Sequence, residues 1–352
     1  MNSELIQFKN DVEHLQICKT FIKNGSIPKV KISILQLDHF AEVLMFRLIK
    51  DKFKNDDFTR FVIPQKYPVK FRLNVLKYFD KKVDFLLQEK EISKAEASTL
   101  KITHFYRNAA HHRDLHNSNT LPVLAKCLFN VGCNMFCKQN AGWSMGGSSI
   151  EKEIGWLGEY GWTKKYFDFN DVEPLIRKSM LSGMTVGARQ LKVIFMQDLY
   201  ARKIEIDRVL EKELPKLTDM KMNEMLKQYE FWEHNILNPG IFDDLSKGFR
   251  EVIYRIQEHK KPSKTEYLNA EHEYKEKLAN ELKKYSPTVS MHKIREMKKY
   301  PEKISKINSM SSLLVEYEMA DKYFQLVERC MEKAFADWDS YIQMQVDIAR
   351  GK

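Results

Sequence analysis

Breakers of regular structure are few in this chain. Its 352 residues include only 13 glycines and 10 prolines, and these gather in a few places, leaving long segments uninterrupted. Strict apolar–polar alternation, the mark of half-buried strands, is scarce, which argues against a β-sandwich or barrel. Cysteine is scarce too. Cys18, Cys127, Cys133, Cys137 and Cys330 form an odd, scattered set, unlike a disulfide framework. Cys133 and Cys137 share a helix face and would make half a metal site. No second pair with ligand spacing lies nearby, so these thiols read as buried core groups. No stretch approaches the run of about 18 uncharged apolar residues that a membrane span needs. The opening MNSELIQFKNDVEHL carries early acids and no long apolar run. No secretory leader is therefore expected, and the chain reads as soluble and cytoplasmic, with no membrane partner.

What is present is a globular composition with a basic balance. Hydrophobic residues make up 43% of the chain, enough to bury a core and to exclude a disordered protein. Lys+Arg outnumber Asp+Glu by 58 to 48, a formal charge of +10. That excess favours a polyanionic partner such as nucleic acid.

Helical spacing runs through most of the sequence, and the fold class expected is all-α. A first helix is expected over Glu4–Lys23, stopped by Asn24-Gly25. A second covers Ile32–Phe53, with an apolar stripe of Ile32, Leu35, Phe40, Val43, Leu44 and Leu48 and with Asp38 and Glu42 one turn apart. A third is expected over Val69–Gln88. Ser93-Lys94-Ala95-Glu96 has the form of a capping box and should start a fourth. A fifth, Leu121–Lys138, is strongly apolar and should lie in the middle of a bundle. Residues 1–140 thus read as an N-terminal helical bundle. Residues 141–174 hold six of the 13 glycines and three of the five tryptophans in AGWSMGGSSIEKEIGWLGEYGW, a loop or insertion that lacks the Gly-Lys-Ser/Thr ending of a phosphate cradle. Residues 175–352 return to long helices rich in Glu–Lys pairs, suited to dimerisation, regulation or partner binding. The last helix is expected over Ser311–Ala349, with a seam of Leu313, Leu314, Tyr317, Ala320, Tyr323, Phe324 and Val327.

The stretch ITHFYRNAAHHRDLHN, Ile102 to Asn117, concentrates four histidines and two arginines. At about 100° per residue on a helix, His104, Arg107 and His111 share one face, while Asn108 and His112 share another. Arg107 and His112 point about 140° apart on an ideal helix. Aiming both at one substrate atom requires either a break in the helix or a second copy of the chain. Histidine takes and returns a proton near neutral pH, and arginine offers a planar fork of donors to phosphate oxygens. Together these suffice for metal-free RNA cleavage, because RNA carries its own 2′-hydroxyl nucleophile.

Arg107-Asn108-Ala109-Ala110-His111-His112 is similar to the R-x4-6-H motif of the HEPN superfamily, in its RN-xxx-H form. The resemblance covers roughly residues 1–140. It implies an all-helical bundle that dimerises, and a metal-independent endoribonuclease that needs no cofactor, of the kind found in toxin–antitoxin, abortive-infection and CRISPR-linked defence systems. It makes Arg107 and His112 catalytic and Asn108 the polar residue beside the arginine. Some members add an acid from an earlier helix, a role open to Glu42 or Asp38. His104, His111 and Arg113 are candidates for supporting or phosphate-binding groups. RNA would be the substrate, and an antitoxin or regulatory partner would restrain the enzyme.

Two other readings stand beside this one. Cations at a helix C-terminus are favoured by the helix dipole, so His111, Arg113 and His116 can be there for stability, in a helical protein that binds nucleotide or a partner without catalysis. Alternatively, His112 and His116, four apart, with Asp114 or Asp38, can hold a metal in a His/Asp phosphohydrolase. The sequence HHRD separates His112 from Asp114 by one residue and so lacks the His-Asp doublet of that class.

Overall fold

Asn24-Gly25 stops the first helix as expected. In the computed structural model α1 spans Ser3–Lys23, and Gly25 sits at φ +68°, a left-handed conformation that costs glycine little. The structure describes residues 3–59, 64–112, 119–140, 142–146, 150–213, 219–236, 272, 276, 279–280 and 282–349; in its helices the side chains of 108–112, 140, 212–213, 219–221, 225, 232–236 and 334–349 lie outside that description. Among the described residues the fold is all-α apart from one short two-stranded ladder.

Leu5, Phe8, Val12, Leu15, Cys18 and Ile22 of α1 recur at three- and four-residue spacing and are buried, giving one apolar face. Helix α2 spans Ile27–Thr59 and overruns the expected segment at both ends. Its buried positions include Ile34, Leu37, Ala41, Leu44 and Met45, while Ile32 is 44% exposed. The expected stripe is therefore rotated at its start. The reason is crowding: α2 packs against several neighbours, and a helix covered on several sides cannot be phased from one stripe of hydropathy.

The single helix expected over Val69–Gln88 is two, α3 (Val69–Lys77) and α4 (Phe79–Gln88), split at Tyr78 with φ −111° and ψ 136°. No glycine or proline marks the break. Tertiary pairing holds α3 in place instead. Arg72 donates to Asp56 at 2.7 Å and Asp57 at 2.8 Å, and its guanidinium lies 5.0 Å over the Phe53 ring.

Helix α5 (Lys94–His112) begins at the capping box, where the Glu96 amide donates to Ser93 Oγ at 3.2 Å and the Ser93 amide to Glu96 Oε2 at 2.8 Å. Helix α6 (Thr120–Asn140) buries Leu124, Leu128, Val131 and Met135 and packs against α1, α2 and α5. Its Thr120–Gln139 stretch is long and apolar enough to span a membrane, although the sequence was expected to hold no such run. Most of that stretch, 72%, is buried among the neighbouring helices.

The Gly/Trp segment folds onto the far end of α6. Strand β1 (Ser144–Met145) pairs antiparallel with β2 (Phe167–Asp168), with Ser144 opposite Asp168. Between them lie α7 (Ile150–Glu153) and a tight turn of helix, Gly155–Tyr160. Phe8 of α1 gathers the rings of this region: Phe167 at 5.2 Å, Phe136 at 5.3 Å, Trp143 at 5.7 Å and Trp156 at 5.8 Å between centroids. Helix α8 (Phe169–Leu181) follows, capped by the Asp168 side chain.

The chain divides into two compact units. The first comprises Met1–Asp198 with Lys303–Met319, and the second Leu199–Glu302 with Ala320–Lys352. The division runs through α9 (Ala188–Arg208) and, after α10 (Asp219–Ile236) and α11 (Met291–Glu296), through α12 (Lys299–Ser305) and α13 (Met310–Ala349). In the first unit α13 buries Leu313, Leu314 and Tyr317. In the second, Arg202 bridges Asp321 at 2.5 Å and Glu328 at 2.7 Å. There too the buried Glu230 carboxylate accepts the backbone amides of Thr288 and Val289, both at 2.7 Å.

Candidate functional site

Three helices meet around the charged cluster, and each contributes two side chains one turn apart. Helix α2 supplies Asp38 and Glu42, α4 supplies Phe79 and Lys82, and α5 supplies His104 and Arg107. Spacings of three and four residues put both members of each pair on one helix face. Asp38 is the centre. Its side chain is 1% exposed, with both carboxylate oxygens 3.1 Å from His104 Nδ1 and Oδ2 3.6 Å from Arg107 Nε. An ionised carboxylate only accepts, so His104 carries its proton on Nδ1. The other face of His104 lies flat on the Phe79 ring, with centroids 3.7 Å apart and planes 9° from parallel.

Glu42 and Lys82 form the second polar layer, at 2.7 Å. Lys82 is 6% exposed at its side chain. A buried ammonium needs such a partner, because an unpaired one would lose its hydration without compensation. Burial pushes the Glu42 carboxyl up, but the Lys82 ammonium, followed by His104 and Arg107, outweighs this and holds it below its ordinary value. Arg107 keeps 36% of its side chain exposed, so the cluster reaches the surface of the first unit through the arginine.

Of the residues singled out from the sequence, Asp38, Glu42, His104 and Arg107 come together. Backbone helix continues through Asn108, His111 and His112, whose side chains lie outside the described residues, as does all of Arg113, Asp114 and His116. The helix is unbroken from Arg107 to His112. No break lies between Arg107 and His112 that would let one chain aim both residues at one atom.

Three participants escaped the sequence reading. Phe79 and Lys82 face the cluster only because the chain turns at Tyr78, and no local signal marks that turn. Tyr106, beside Arg107, joins a separate hydrogen-bonded chain through the Tyr317 hydroxyl of α13. The aromatic residue next to the motif arginine was the one available signal for it.

Chemically, the cluster is an arginine in a 3.6 Å ion pair with Asp38, an imidazole hydrogen-bonded to the same carboxylate, and a second carboxylate from Glu42. That set can hold a phosphate group and relay a proton. Among the described residues no three His, Cys, Asp or Glu side chains converge as metal ligands. The five cysteines are free thiols. Burial pushes Cys18 and Cys127 up to about 12, far from the thiolate state that nucleophilic or metal chemistry uses.

Comparison of the chain with protein-family models, with curated proteins and with solved structures found no match.

Proposed function

We propose that the protein is a metal-independent endoribonuclease of the HEPN type, acting as a homodimer. The observation that carries the reading is the grip of Asp38, an acid from an earlier helix, on Arg107 of the RN-xxx-H motif. The net charge of +10 suits an RNA substrate. In the proposed reaction one His112 takes the proton of the 2′-hydroxyl, and that oxygen attacks the adjacent phosphorus. The bond from phosphorus to the 5′-oxygen breaks, and the 5′-oxygen leaves with a proton from the partner's imidazole. Arg107 neutralises the charge that grows on the phosphoryl oxygens. The products are a 2′,3′-cyclic phosphate and a 5′-hydroxyl, so proton and electron pairs balance without a metal.

Incubation of purified protein with end-labelled RNA in EDTA tests this. Cutting that leaves cyclic phosphate ends, and that disappears in Arg107→Ala and His112→Ala while the fold persists, is the expected result. An active His112→Ala protein overturns the proposal. An unrestrained ribonuclease harms its own cell, so an antitoxin or trigger in a defence system belongs to the same reading. Toxicity on expression that vanishes in His112→Ala is its cheapest sign.

One observation favours a second reading. Asp38 is buried and joins α2 to α5 through His104 as well as Arg107, as an interhelical clamp in a non-catalytic binding protein would. RNA that is bound but never cut, in EDTA or with added divalent ions, would select it.

A further inference from the structure

The last turns of α5 are held on two sides. Asp38 fixes the face carrying His104 and Arg107. About 100° round the helix from Arg107, Tyr106 points to a different partner. Its hydroxyl lies 2.8 Å from the Tyr317 hydroxyl of α13, and Tyr317 donates to Asp198 Oδ2 of α9 at 2.6 Å. Each phenol has one proton. Tyr317 gives its proton to the carboxylate, so Tyr106 must be the donor to Tyr317, and the chain has a single direction, Tyr106 to Tyr317 to Asp198. Thr120, the first residue of α6, makes a long 3.5 Å contact to the other Asp198 oxygen. Tyr317, Asp198 and Thr120 are 0%, 2% and 0% exposed. The Tyr317 ring is sandwiched flat on Phe195, centroids 3.7 Å apart and planes 9° from parallel, one helical turn from Asp198.

We infer that Tyr106, Tyr317 and Asp198 form a positioning relay that sets the rotation of the motif-bearing end of α5 and places it under the control of α13. Asp198 is shared between the end of α5, through the tyrosines, and the start of α6, through Thr120. It therefore ties together the two helices that flank residues 113–119 in sequence. A helix gripped on one face alone can still roll about its axis. The second grip, at a different angle, removes that freedom, and roll is the coordinate that decides where residues 108–112 point. Burial of Tyr317 and Asp198 makes their part of the relay costly to break, because an unpaired phenol or carboxylate in a dry site costs more than its bond contributes. None of the three residues touches substrate in this scheme. The catalytic consequence rests on the ribonuclease reading above, whereas the mechanical one does not.

The test uses the full chain carrying Tyr317→Phe, Tyr106→Phe or both. Tyr317→Phe keeps the ring on Phe195 and deletes the hydroxyl; Tyr106→Phe leaves the Tyr317–Asp198 bond in place and serves if the first variant fails to fold. Backbone hydrogen exchange is read over residues 104–112, with 95–102 as the internal control. The relay predicts that exchange at 104–112 rises about tenfold in either variant, with the control segment unchanged. Single-turnover cleavage of labelled RNA in EDTA should fall about 10- to 100-fold with RNA affinity unaltered, as misplacement of a catalytic group does. The double variant should be no worse than the worse single one, since both cut one chain. Unchanged exchange at 104–112 in a folded variant overturns the inference, and so do strictly additive effects. If the wild-type protein cuts no RNA, the ribonuclease reading falls and the exchange arm alone decides the relay.

Discussion

Asp38 Oδ2 lies 3.6 Å from Arg107 Nε, and the same carboxylate accepts from His104 Nδ1 at 3.1 Å. A buried carboxylate that accepts from one side chain of the neighbouring helix and pairs in charge with another contributes to the stability of the α2–α5 contact. Asp38→Asn keeps the volume and removes the charge. It should destabilise the fold by about 1.5–3 kcal/mol, the range for hydrogen bonds to charged groups. Urea denaturation measures that loss. If Arg107 acts on the scissile phosphate, the same variant should also cut RNA more slowly than its loss of folded protein explains.

Arg107→Lys separates charge from geometry. Lysine retains the positive charge but not the planar fork, and the two are not interchangeable where bidentate phosphate contact matters. The expected result is a loss of cleavage of about 10²-fold or more, the scale seen when one preorganised donor to a developing oxyanion is removed, with little change in melting temperature. Full activity in Arg107→Lys would mean that the guanidinium serves only as a point charge.

Glu42 gives a pH signature. Its carboxyl is held below its ordinary value in the folded protein, burial raising it but Lys82 and then His104 and Arg107 more than compensating. A depressed carboxylate stabilises the fold fully above its unfolded value, and that contribution is lost as pH falls through the folded value. Wild type should therefore exceed Glu42→Gln by about 1 kcal/mol at pH 7, the scale of a partly solvated pair. The difference should shrink towards zero below about pH 4. Denaturation curves at pH 7 and pH 3.5 check it, and a difference that grows on acidification would reverse the assigned sign.

How far the sequence foretold this arrangement differs from element to element. Helix boundaries at Asn24-Gly25 and Ser93–Glu96 were legible because their chemistry is local: a left-handed glycine and a reciprocal cap. The central place of α6 was legible from its composition. Asp38 and Glu42 were candidates beside Arg107 because the family resemblance implies an acid from an earlier helix, although hydropathy alone phased that helix incorrectly at Ile32. The Tyr78 break was illegible, since Arg72 holds α3 through Asp56 and Asp57, residues remote from the break in sequence. Phe79, Lys82 and the Tyr106–Tyr317 bond followed from that kind of long-range pairing, which no window of sequence contains.

The Gly/Trp segment read as a loop or insertion, yet its packing makes it part of the core. Trp143, Trp156 and Phe167 surround Phe8, and Phe136 completes the cluster from α6. Phe136 and Thr120 lie at opposite ends of α6, about 24 Å apart along its axis at the helical rise. Deleting Trp143 to Trp162 would also remove Ile150, Ile154 and Leu157, all buried. The expected outcome is therefore failure to fold. Phe8→Ala probes the same cluster more gently and should cost about 3–5 kcal/mol, as truncation of a fully buried phenylalanine does. Because the cluster is remote from Arg107, the rate of RNA cleavage per folded molecule should not change. Urea denaturation gives the first quantity, and cleavage normalised to folded protein gives the second. A Phe8→Ala protein of native stability would show that the rings are in contact without supporting the bundle.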